Sequence, residues 1–519
     1  MTTSTSYLRV RITGTMKVCS ELHLGDGADH DSKCRINPHG QAAEGGHYRT
    51  TCVDHNMRPY IPGSSLRGAL RDWAKEADNQ CSALNQRALF GPDTGDQANA
   101  IAGQLRVADM TWKGVVDIKG TEITSVNENL PFWCDTRKTT IRQSTTIDPI
   151  TRTAKAHQLF QYEMVPVGTQ FNVTLEMHGT PSSPVEHAKV EYLLNILAAW
   201  DGNHAHARLG HGGSKDRGRM RWGENQEVTV VTQEAMEHWL EPSTSTSTKL
   251  PWSKLKAGQF NILAFDRPTH SAVVKLTPCG PYLSNEAGLV PTGTGEAKLV
   301  YARTSDDRPK IPAASLKGWI RNCAHKIAAT IAHQHYDVPA ADAHQLMESW
   351  IGQLMGDEGH KSWLAVSDAE ATAARLKHTQ IFTAIDRFTG GVSHIKNGPS
   401  LVTVEAALNP LGATLHFDDR LFGPDQAHWH GLLLLVFRDA LADQMWLGWG
   451  QAKGYGQFEI AITLPGGAVP DNAIKNATQL LAHPWVIKDG NGWIKALHDS
   501  IEGHIKLQQS HQQEASHAG

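Results

Sequence analysis

The chain has no excess of basic residues. Lys and Arg number 49 against 53 Asp and Glu, which gives a formal net charge of −4. Proteins that bind nucleic acid without specificity usually carry a strongly basic balance. Charge alone therefore gives no support for a nucleic-acid partner, and any such contact would need a local basic cluster.

Long apolar runs, a targeting signal and a cysteine framework are also missing. No segment approaches the roughly 20 apolar residues that span a bilayer, and the N-terminus MTTSTSYLRVRI lacks a basic-then-apolar signal pattern and a cleavage site. The 7 Cys are irregularly spaced, which does not predict a disulfide framework. We therefore expect a protein of the reducing cytoplasm.

What is present is ordinary in composition and rich in histidine. The 519 residues are 40% hydrophobic and 20% charged, enough for two or three globular domains. The 28 His are unusually many. Most are expected on the surface, and a few are candidates for metal or acid–base chemistry.

One phrase occurs twice along the chain. Residues 60–71 read YIPGSSLRGALR and residues 311–321 read IPAASLKGWIR, so that Ser65 aligns with Ser315 at an offset of 250. Two further phrases recur in the same order at an offset of 238: residues 147–154 with 385–392, and residues 208–219 with 446–457. Ordered repeats at this distance predict two copies of one domain in tandem.

The pattern of each copy predicts a β-α-β-β-α-β order, the ferredoxin-like arrangement of the α+β class. In the first copy we expect strands at 6–18, 103–109 and 168–177, helices at 64–79 and 185–200, a Gly-rich loop at 210–218 and a closing strand. In the second we expect strands at 270–277, 363–367, 413–417 and 457–463, and helices at 314–335 and 429–443. The predicted domains are 1–240 and 256–465, joined by a Ser/Thr/Pro-rich linker at 241–255 and followed by a polar tail at 466–519 with one helix at 490–505 and a disordered end.

The repeated phrase places small residues and cations at a helix start. Free N–H groups and the helix dipole favour anions there, and side chains four apart share one helical face. The predicted anion-binding residues are Ser64, Ser65, Arg67, Arg71, Ser315, Lys317 and Arg321. The alternative is a well-capped helix with Ser64 or Ser65 as N-cap and two solvated arginines.

Both copies also end in a Gly-rich loop with cations beside it. Such loops can bring backbone close to a ligand. Neither fits the P-loop pattern nor G-x-G-x-x-G between strand and helix, so a nucleotide cofactor is not indicated. The candidate ligand-contacting residues are Gly212, Gly213, Lys215, Arg217, Gly450 and Lys453, and the alternative is a Gly-rich β-turn.

A cluster of Cys and His lies between the first strand and the first helix. Zinc prefers four N or S ligands, and the candidates are Cys34, His47, Cys52 and His55, with His39 nearby. The spacing fits no standard zinc finger. His204, His206 and His211 flank the first Gly-rich loop and are expected to be exposed.

Taken together, these motifs resemble the RAMP superfamily, the RNA-binding backbone proteins of CRISPR effector complexes. The first copy has IPGSSLRG at Ile61–Gly68, an LFG phrase at Leu89–Gly91, G-x-L-x-V-x-D at Gly103–Asp109, and the stretch Leu159–Phe171. It departs from the family pattern at Pro149 and Arg219, and the second copy reduces the LFG phrase to Met355-Gly356. The resemblance covers roughly residues 5–465 and is strongest to the fused backbone subunits of type III complexes.

This resemblance implies two RRM-like domains that bind guide RNA, meet complementary single-stranded target RNA, and contact other effector subunits. In the family a "thumb" hairpin folds over the guide–target duplex and displaces a base pair. The matching regions are 136–165 and 378–404, with thumb residues Thr140, Ile141, Arg142, Phe160, Phe382, Arg387 and Phe388. Arg142 and Arg387 are expected to contact RNA.

The resemblance also implies target cleavage by an Asp between the first strand and the first helix, assisted by a divalent metal such as Mg. Counting back from Pro62 by the spacing seen in the family leads to a position near His47, which is not an Asp. We therefore favour Asp26, Asp29 or Asp31 as the catalytic residue. The alternative is a solvated acidic loop. The matching loop of the second copy has Glu286 and Glu296 but no Asp. The second copy is therefore expected to bind RNA without cutting it.

Two other functions stay open at this stage. One is an endoribonuclease that processes precursor guide RNA with a His as general base. The other is a purely structural RNA-binding module.

Overall fold

The structure is a computed structural model. It describes residues 6–30, 47–77, 83–92, 102–115, 133–148, 150–151, 153–202, 207–223, 226–241, 248–262, 270–286, 297–304, 307–357, 359–373, 376–383, 385–392, 401–464 and 473–517.

The described part of the first half contains thirteen strands and four α-helices. The strands are β1 (Ser6–Tyr7), β2 (Arg9–Val18), β3 (Gly25–His30), β4 (His47–Thr51), β5 (Leu105–Val107), β6 (Thr111–Val115), β7 (Thr140–Ile147), β8 (Ala154–Met164), β9 (Thr169–His178), β10 (Val185–Glu186), β11 (Met220–Trp222), β12 (Glu227–Val231) and β13 (Ser253–Leu255). The helices are α1 (Gly63–Ala77), α2 (Ala83–Phe90), α3 (His187–Ala198) and α4 (Gln233–Leu240).

The central sheet of this half has the ferredoxin-like strand order. Strand β2 lies between β9 on one side and β11 and β12 on the other, and β9 also pairs with β5 and β6. Every one of these pairings is antiparallel. When the four strands of the β-α-β-β-α-β plan are numbered along the chain, their order across the sheet is 4-1-3-2. This order confirms the predicted fold class.

The second half repeats this plan. Its strands are β14 (His270–Pro278), β15 (Ala297–Val300), β16 (Lys310–Ile311), β17 (Leu364–Val366), β18 (Ala369–Ala371), β19 (Lys377–Thr383), β20 (Leu401–Ala407), β21 (Leu411–Phe417) and β22 (Phe458–Thr463). Its helices are α5 (Ala313–Tyr336), α6 (Ala340–Met355), α7 (Ala427–Asp439), α8 (Ala477–Leu481) and α9 (Pro484–His517). Strand β14 lies between β22 and β21, and β21 pairs with β17 and β18, so the 4-1-3-2 order recurs.

Each half has its own hydrophobic core, because alternating strand residues and one helical stripe point to the same side. In the first half, Leu66, Leu70 and Trp73 of α1 are buried against Val10 and Ile12 of β2. The second core contains the corresponding face of α5 and β14. These three residues form the buried face of α1.

Two segments differ from the sequence analysis. The predicted linker contains β13, which pairs with β12 and widens the first sheet. The chain beyond residue 484 is helical to His517, where we predicted a shorter helix and a disordered end. Leu497 and Ile501 of this helix are fully buried in the second core. Among the described residues, no helix is long and apolar enough to cross a membrane.

Each half also carries a second, smaller sheet built on a hairpin. In the first half β7 and β8 form the hairpin, and β4 and β3 extend it. In the second half β19 and β20 form it, and β15 joins β20. These hairpins correspond to the two predicted thumbs.

Candidate functional site

A large groove runs between the two halves. Its volume is about 2230 Å³, and both halves contribute to its walls. The walls include the starts of α1 and α5, the base of the first hairpin, and the Gly-rich loop of the first half. The repeated elements are therefore brought together around one space.

The Gly-rich loop of the first half docks on the second half. The short 3₁₀ turn Gly213–Lys215 packs against β17 and α5. Asp216, which is buried, accepts a hydrogen bond from the Asp368 backbone N–H at 3.3 Å. Arg208 and Arg219 hold its carboxylate at 3.0 and 2.8 Å. This loop is thus a joint between the halves as well as a wall of the groove.

Close packing explains the glycines at corresponding positions of the two loops. A Cβ on Gly210 would lie 2.3 Å from the His23 carbonyl oxygen, and a Cβ on Gly448 would lie 2.3 Å from that of Leu283. Gly212 and Gly450 both have positive φ, at 86° and 78°, a region that favours glycine. The recurrence of these glycines follows from turn geometry, as the alternative interpretation proposed. Gly213 lies in the 3₁₀ turn itself.

The two helix starts already hold an internal carboxylate. Asp109 Oδ1 accepts from the Gly63 N–H, and Asp368 Oδ1 accepts from the Ala313 N–H, each at 2.7 Å. The helices begin one or two residues before the predicted N-caps, so Ser64 and Ser65 belong to the first turn of α1. Ser64, Ser65 and Ser315 line the groove. Hydroxyl groups therefore face the groove, while a protein carboxylate binds the first N–H of each helix.

The arginines of the repeated phrase have partners inside the protein. Arg67 donates to the Phe90 carbonyl at 2.7 Å, and Arg71 donates to the Gly91 and Pro92 carbonyls at 3.3 and 2.8 Å. In the second half Arg321 donates to the Gly356 carbonyl at 3.2 Å. The last carbonyls of a helix lack intrahelical partners and attract cations. Arg67 and Arg71, which are predicted to contact phosphate, thus make a structural contact inside the protein. This contact also explains why an LFG-like phrase accompanies the arginine.

Arg142 lies between carboxylates from both halves. It donates to Glu21 Oε1 at 2.5 and 2.7 Å and forms an ion pair with Glu286. Burial alone would raise the pKa of Glu21, but Arg142 outweighs it and lowers that pKa to about 2. Burial raises the pKa of Glu286. Arg142 therefore joins the halves, and its guanidinium is committed to carboxylates instead of to RNA as predicted.

Three other cations in the groove have no such carboxylate. Within the described part of the chain, no Asp or Glu lies within ion-pair distance of Lys215, Arg217 or Lys317. Burial, followed by the charges of Lys215 and Arg321, lowers the pKa of Lys317 to about 7. Burial, followed by Arg217 and Arg321, lowers the pKa of Lys215. Lys317 is buried, Arg217 is half-buried and Lys215 is exposed, and repelling cations placed together in this way favour the binding of an anion.

Aromatic rings accompany these cations in both halves. Arg217 lies 5.0 Å from the Tyr162 ring, which stacks on His211 at 5.9 Å. In the second half, Lys453 lies 4.6 Å from the Phe382 ring and 4.8 Å from the Trp449 ring. His211 and Trp449 are 238 residues apart, so the repeat offset could have identified this cluster from the sequence.

The two hairpins end in the same turn. Asp148 Oδ1 accepts from the N–H groups of Ile150 and Thr151, and Asp386 Oδ1 accepts from those of Phe388 and Thr389. This Asx-type turn explains the shared Asp and Thr. It leaves Ile150 61% exposed and Phe388 98% exposed.

Only some of the predicted thumb residues therefore lie at the hairpin tips. Arg387 and Phe388 do lie at the second tip and are exposed. Thr140 and Ile141 are buried at the base of the first hairpin, and Phe160 and Phe382 are half-buried along the hairpins. Ile150, which matches Phe388 at the 238-residue offset, was missed.

A sequence model of the RAMP superfamily matches residues 15–221 and 284–459. The two matches together cover well over half of the chain, and they coincide with its two ferredoxin-like halves. The chain belongs to the RAMP superfamily. A CRISPR-associated, RNA-binding role follows in general terms from this membership. No curated protein matches the chain significantly.

The acidic loop of the first RAMP domain is only partly described. Asp26 is exposed and accepts a hydrogen bond from Thr50 Oγ1. Asp29 lies in β3 opposite Arg49 of β4. Asp31 lies outside the described residues, as do Glu296 of the second domain and the flanking His204 and His206.

The predicted zinc ligands are not assembled by the described residues. Cys52 Sγ donates to the Gly25 carbonyl at 3.4 Å, and burial, followed by Asp26, raises the pKa of its thiol, which opposes the thiolate that zinc requires. His55 is exposed beside Asn56, and His47 lies opposite Phe160. Cys34 and His39 lie outside the described residues. Within the described part of the chain, no three His, Cys, Asp or Glu side chains are placed to hold a metal ion, so those residues alone do not fit zinc.

Proposed function

We propose that this RAMP protein is a tandem RNA-binding backbone subunit of a type III CRISPR effector complex. It would hold guide RNA along the groove between its halves and position complementary target RNA for antiviral defence. The observation that supports this most strongly is the set of groove cations without carboxylate partners, Lys215, Arg217 and Lys317. Phosphates of a bound strand would supply the missing negative charge.

The hairpin tips suit contact with bases. Phe388 exposes nearly its entire side chain on a turn fixed by Asp386, and apolar or aromatic tips can wedge between stacked bases. Arg387 beside it adds a cation for the backbone. In our proposal the two hairpins act as thumbs on the guide–target duplex, with Ile150 and Phe388 as the wedging residues.

The second half leaves surfaces open for further subunits. The first hairpin and the first Gly-rich loop contact the second half through Arg142 and Asp216. Their counterparts in the second half include the exposed Ile381 and Ile385, at 63% and 66%. We propose that these surfaces contact a neighbouring effector subunit in the same way.

Equilibrium binding of guide-type RNA, and then of its target strand, tests the thumb and the groove together. We expect wild-type affinity for guide RNA to fall steeply with salt, because phosphate contacts release counterions. The variant Phe388→Ala should keep guide affinity within about twofold. It should lose much of the base unstacking in the target strand, measured by 2-aminopurine fluorescence opposite the tip.

The half-buried Phe382 provides the matched control, since Phe382→Leu keeps an apolar side chain near the end of β19 that leads to the same turn. Target unstacking should survive that change. RNA binding that is weak and indifferent to salt would contradict the proposed function. Unchanged unstacking in Phe388→Ala would contradict the wedge.

A second candidate function, target cleavage, is favoured by one asymmetry. Asp26 and Glu286 occupy corresponding positions, because Leu24 and Ser284 make the same backbone contacts to Cys52 and Ala302. Glu286 is buried against Arg142, whereas Asp26 is exposed. The first half alone thus presents a carboxylate to solvent here, where a divalent ion such as Mg would be held if cleavage occurs.

Replacing Asp26, Asp29 and Asp31 together by Ala tests this candidate in the assembled complex. We expect target cutting with Mg to fall by at least about 100-fold while guide binding is retained, because carboxylates that hold a metal are needed for the reaction and not for the groove. Glu286→Gln serves as the comparison and should leave the cut sites unchanged. Cutting at the same sites by the triple variant would place cleavage elsewhere.

A further inference from the structure

The junction between the halves brings together three cations from two separate segments. Lys215 comes from the Gly-rich loop of the first half, and Lys317 and Arg321 come from α5 of the second. All three line the groove. Lys317 is only 6% exposed, and its Nζ donates to Ser362 Oγ at 2.8 Å.

The surrounding charges do not neutralise Lys317. Of the groove carboxylates on elements packed against α5, Glu348 pairs with Arg321 at 2.5 Å and Asp357 pairs with His360 at 2.9 Å. Asp368 pairs with Lys310 at 2.9 Å, and Asp216 pairs with Arg208 and Arg219. Lys361 and Arg217 add further positive charge to the groove lining. An anion from outside the protein is the missing partner.

We propose that Lys215 and Lys317 bind one phosphate of the RNA backbone between them, and that Lys317 takes up a proton when the phosphate binds. This inference rests on the proposed function and adds a regulation to it: RNA binding at the junction is linked to pH. Because the two lysines belong to different halves, the same phosphate also bridges the halves.

The direction of the linkage follows from burial and repulsion. The pKa of Lys317 is about 7 without a ligand, lowered by burial and by Lys215 and Arg321. A phosphate beside the ammonium favours the charged form and raises this pKa. Binding is therefore tightest when Lys317 is protonated beforehand, below pH 7, and weakens as pH rises from 7 toward the pKa of the bound state.

Calorimetric titration of guide-type RNA in buffers of different ionisation enthalpy measures the proton directly. At pH 7.5 we expect the wild-type chain to take up between about 0.5 and 0.8 proton per RNA bound. Affinity should fall by about tenfold or more between pH 6 and pH 8.5. Lys317→Arg keeps its charge throughout, so it should bind without proton uptake and with a flat pH profile.

Two controls separate Lys317 from other groups that titrate in this range. His360→Gln removes one of the exposed histidines of the groove lining and should leave proton uptake unchanged. Lys317→Met should bind more weakly than wild type at pH 6 and show no pH dependence. Since this change removes a repelling buried charge, it is not expected to disturb folding, which thermal unfolding checks.

The inference would be overturned if Lys317→Arg took up as many protons as wild type, or if His360→Gln lost the proton uptake. Wild-type binding that depends on salt but not on pH would overturn the inference and leave the proposed function standing. If no salt-dependent RNA binding is found at pH 6, the proposed function itself fails.

Discussion

Replacing Lys215 and Lys317 together by methionine is expected to weaken RNA binding by about 10- to 100-fold at roughly 0.1 M salt and pH 6.5. At this pH both side chains of the wild type are charged when RNA is bound. Removing the one phosphate contact that the two lysines share should also reduce the slope of log affinity against log salt by about 0.7 for a single strand. The same double variant should unfold at a higher temperature than wild type, because the buried Lys317 ammonium and the Lys215 charge that repels it are both gone.

A matched pair of arginines distinguishes this effect from general loss of positive charge. Arg67 and Arg71 belong to the same repeated phrase, but they donate to carbonyls at the end of α2. Arg67→Met with Arg71→Met should lower stability by about 1–3 kcal/mol, since buried carbonyls lose their donors. Its RNA affinity and salt slope should stay close to wild type.

The two double variants are thus expected to change stability in opposite directions, and only the lysine variant is expected to weaken RNA binding. An equal loss of RNA affinity in the two double variants would show that Arg67 and Arg71 of α1 also contact phosphate. Intact binding in the lysine variant would remove the main support for the groove. Fluorescence anisotropy across a salt series and calorimetric unfolding provide the two measurements.

The fold was accessible from sequence because local patterns and the repeat agree. The alternation along residues 6–18 and the apolar face of Leu66, Leu70 and Trp73 each predict one element correctly. The ordered repeats, at similar offsets of 250 and 238, then give the element order twice. Local pattern and global order support one another here, which is the situation in which prediction from sequence succeeds.

The roles of charged side chains were much less accessible. Asp109 and Asp368 bind the helix starts from short connections between strands, 46 and 55 residues later in the chain, and no local signal connects them. Arg142 was assigned to RNA because it lies in a thumb segment, yet its partners Glu21 and Glu286 are 121 and 144 residues away. A cation looks the same in sequence whether a carboxylate or a phosphate faces it.

The C-terminal helix illustrates a related difficulty. Most of its residues are polar, and the sequence predicts only a short helix followed by a disordered end. In the fold, Leu497, Ile501 and Ile505 align on one face and bury against the second core, with α7 as its main packing partner. Packing against a preformed partner stabilises a helix whose own sequence is unremarkable.

The second large expected effect concerns the charged joint between the halves that Arg142 forms with Glu21 and Glu286. Arg142→Met would leave Glu21 and Glu286 buried without their shared counter-charge. Removing one member of a buried ion network costs about 3–5 kcal/mol, since the remaining charges stay desolvated. We expect a loss of stability of this size at pH 7, measured by denaturant or thermal unfolding.

The pH dependence of this loss identifies its cause. Without Arg142, burial would hold the pKa of both carboxyl groups above their values in the unfolded chain. Such groups contribute stability below the unfolded pKa and lose it as pH rises through the folded pKa. The deficit relative to wild type should therefore shrink between pH 7 and about pH 4.5, where the carboxyl groups protonate.

Neutralising the joint as a whole should restore most of the stability. Arg142→Met combined with Glu21→Gln and Glu286→Gln removes all three charges, and replacing a complete buried ion network is often close to neutral. The surface pair of Arg420 and Asp418, at 2.8 Å with Arg420 half exposed, provides the contrast: Arg420→Met should cost less than about 1 kcal/mol. A single Arg142→Met change as mild as Arg420→Met, or a triple variant no better than the single one, would mean that the halves are held by packing and not by this joint.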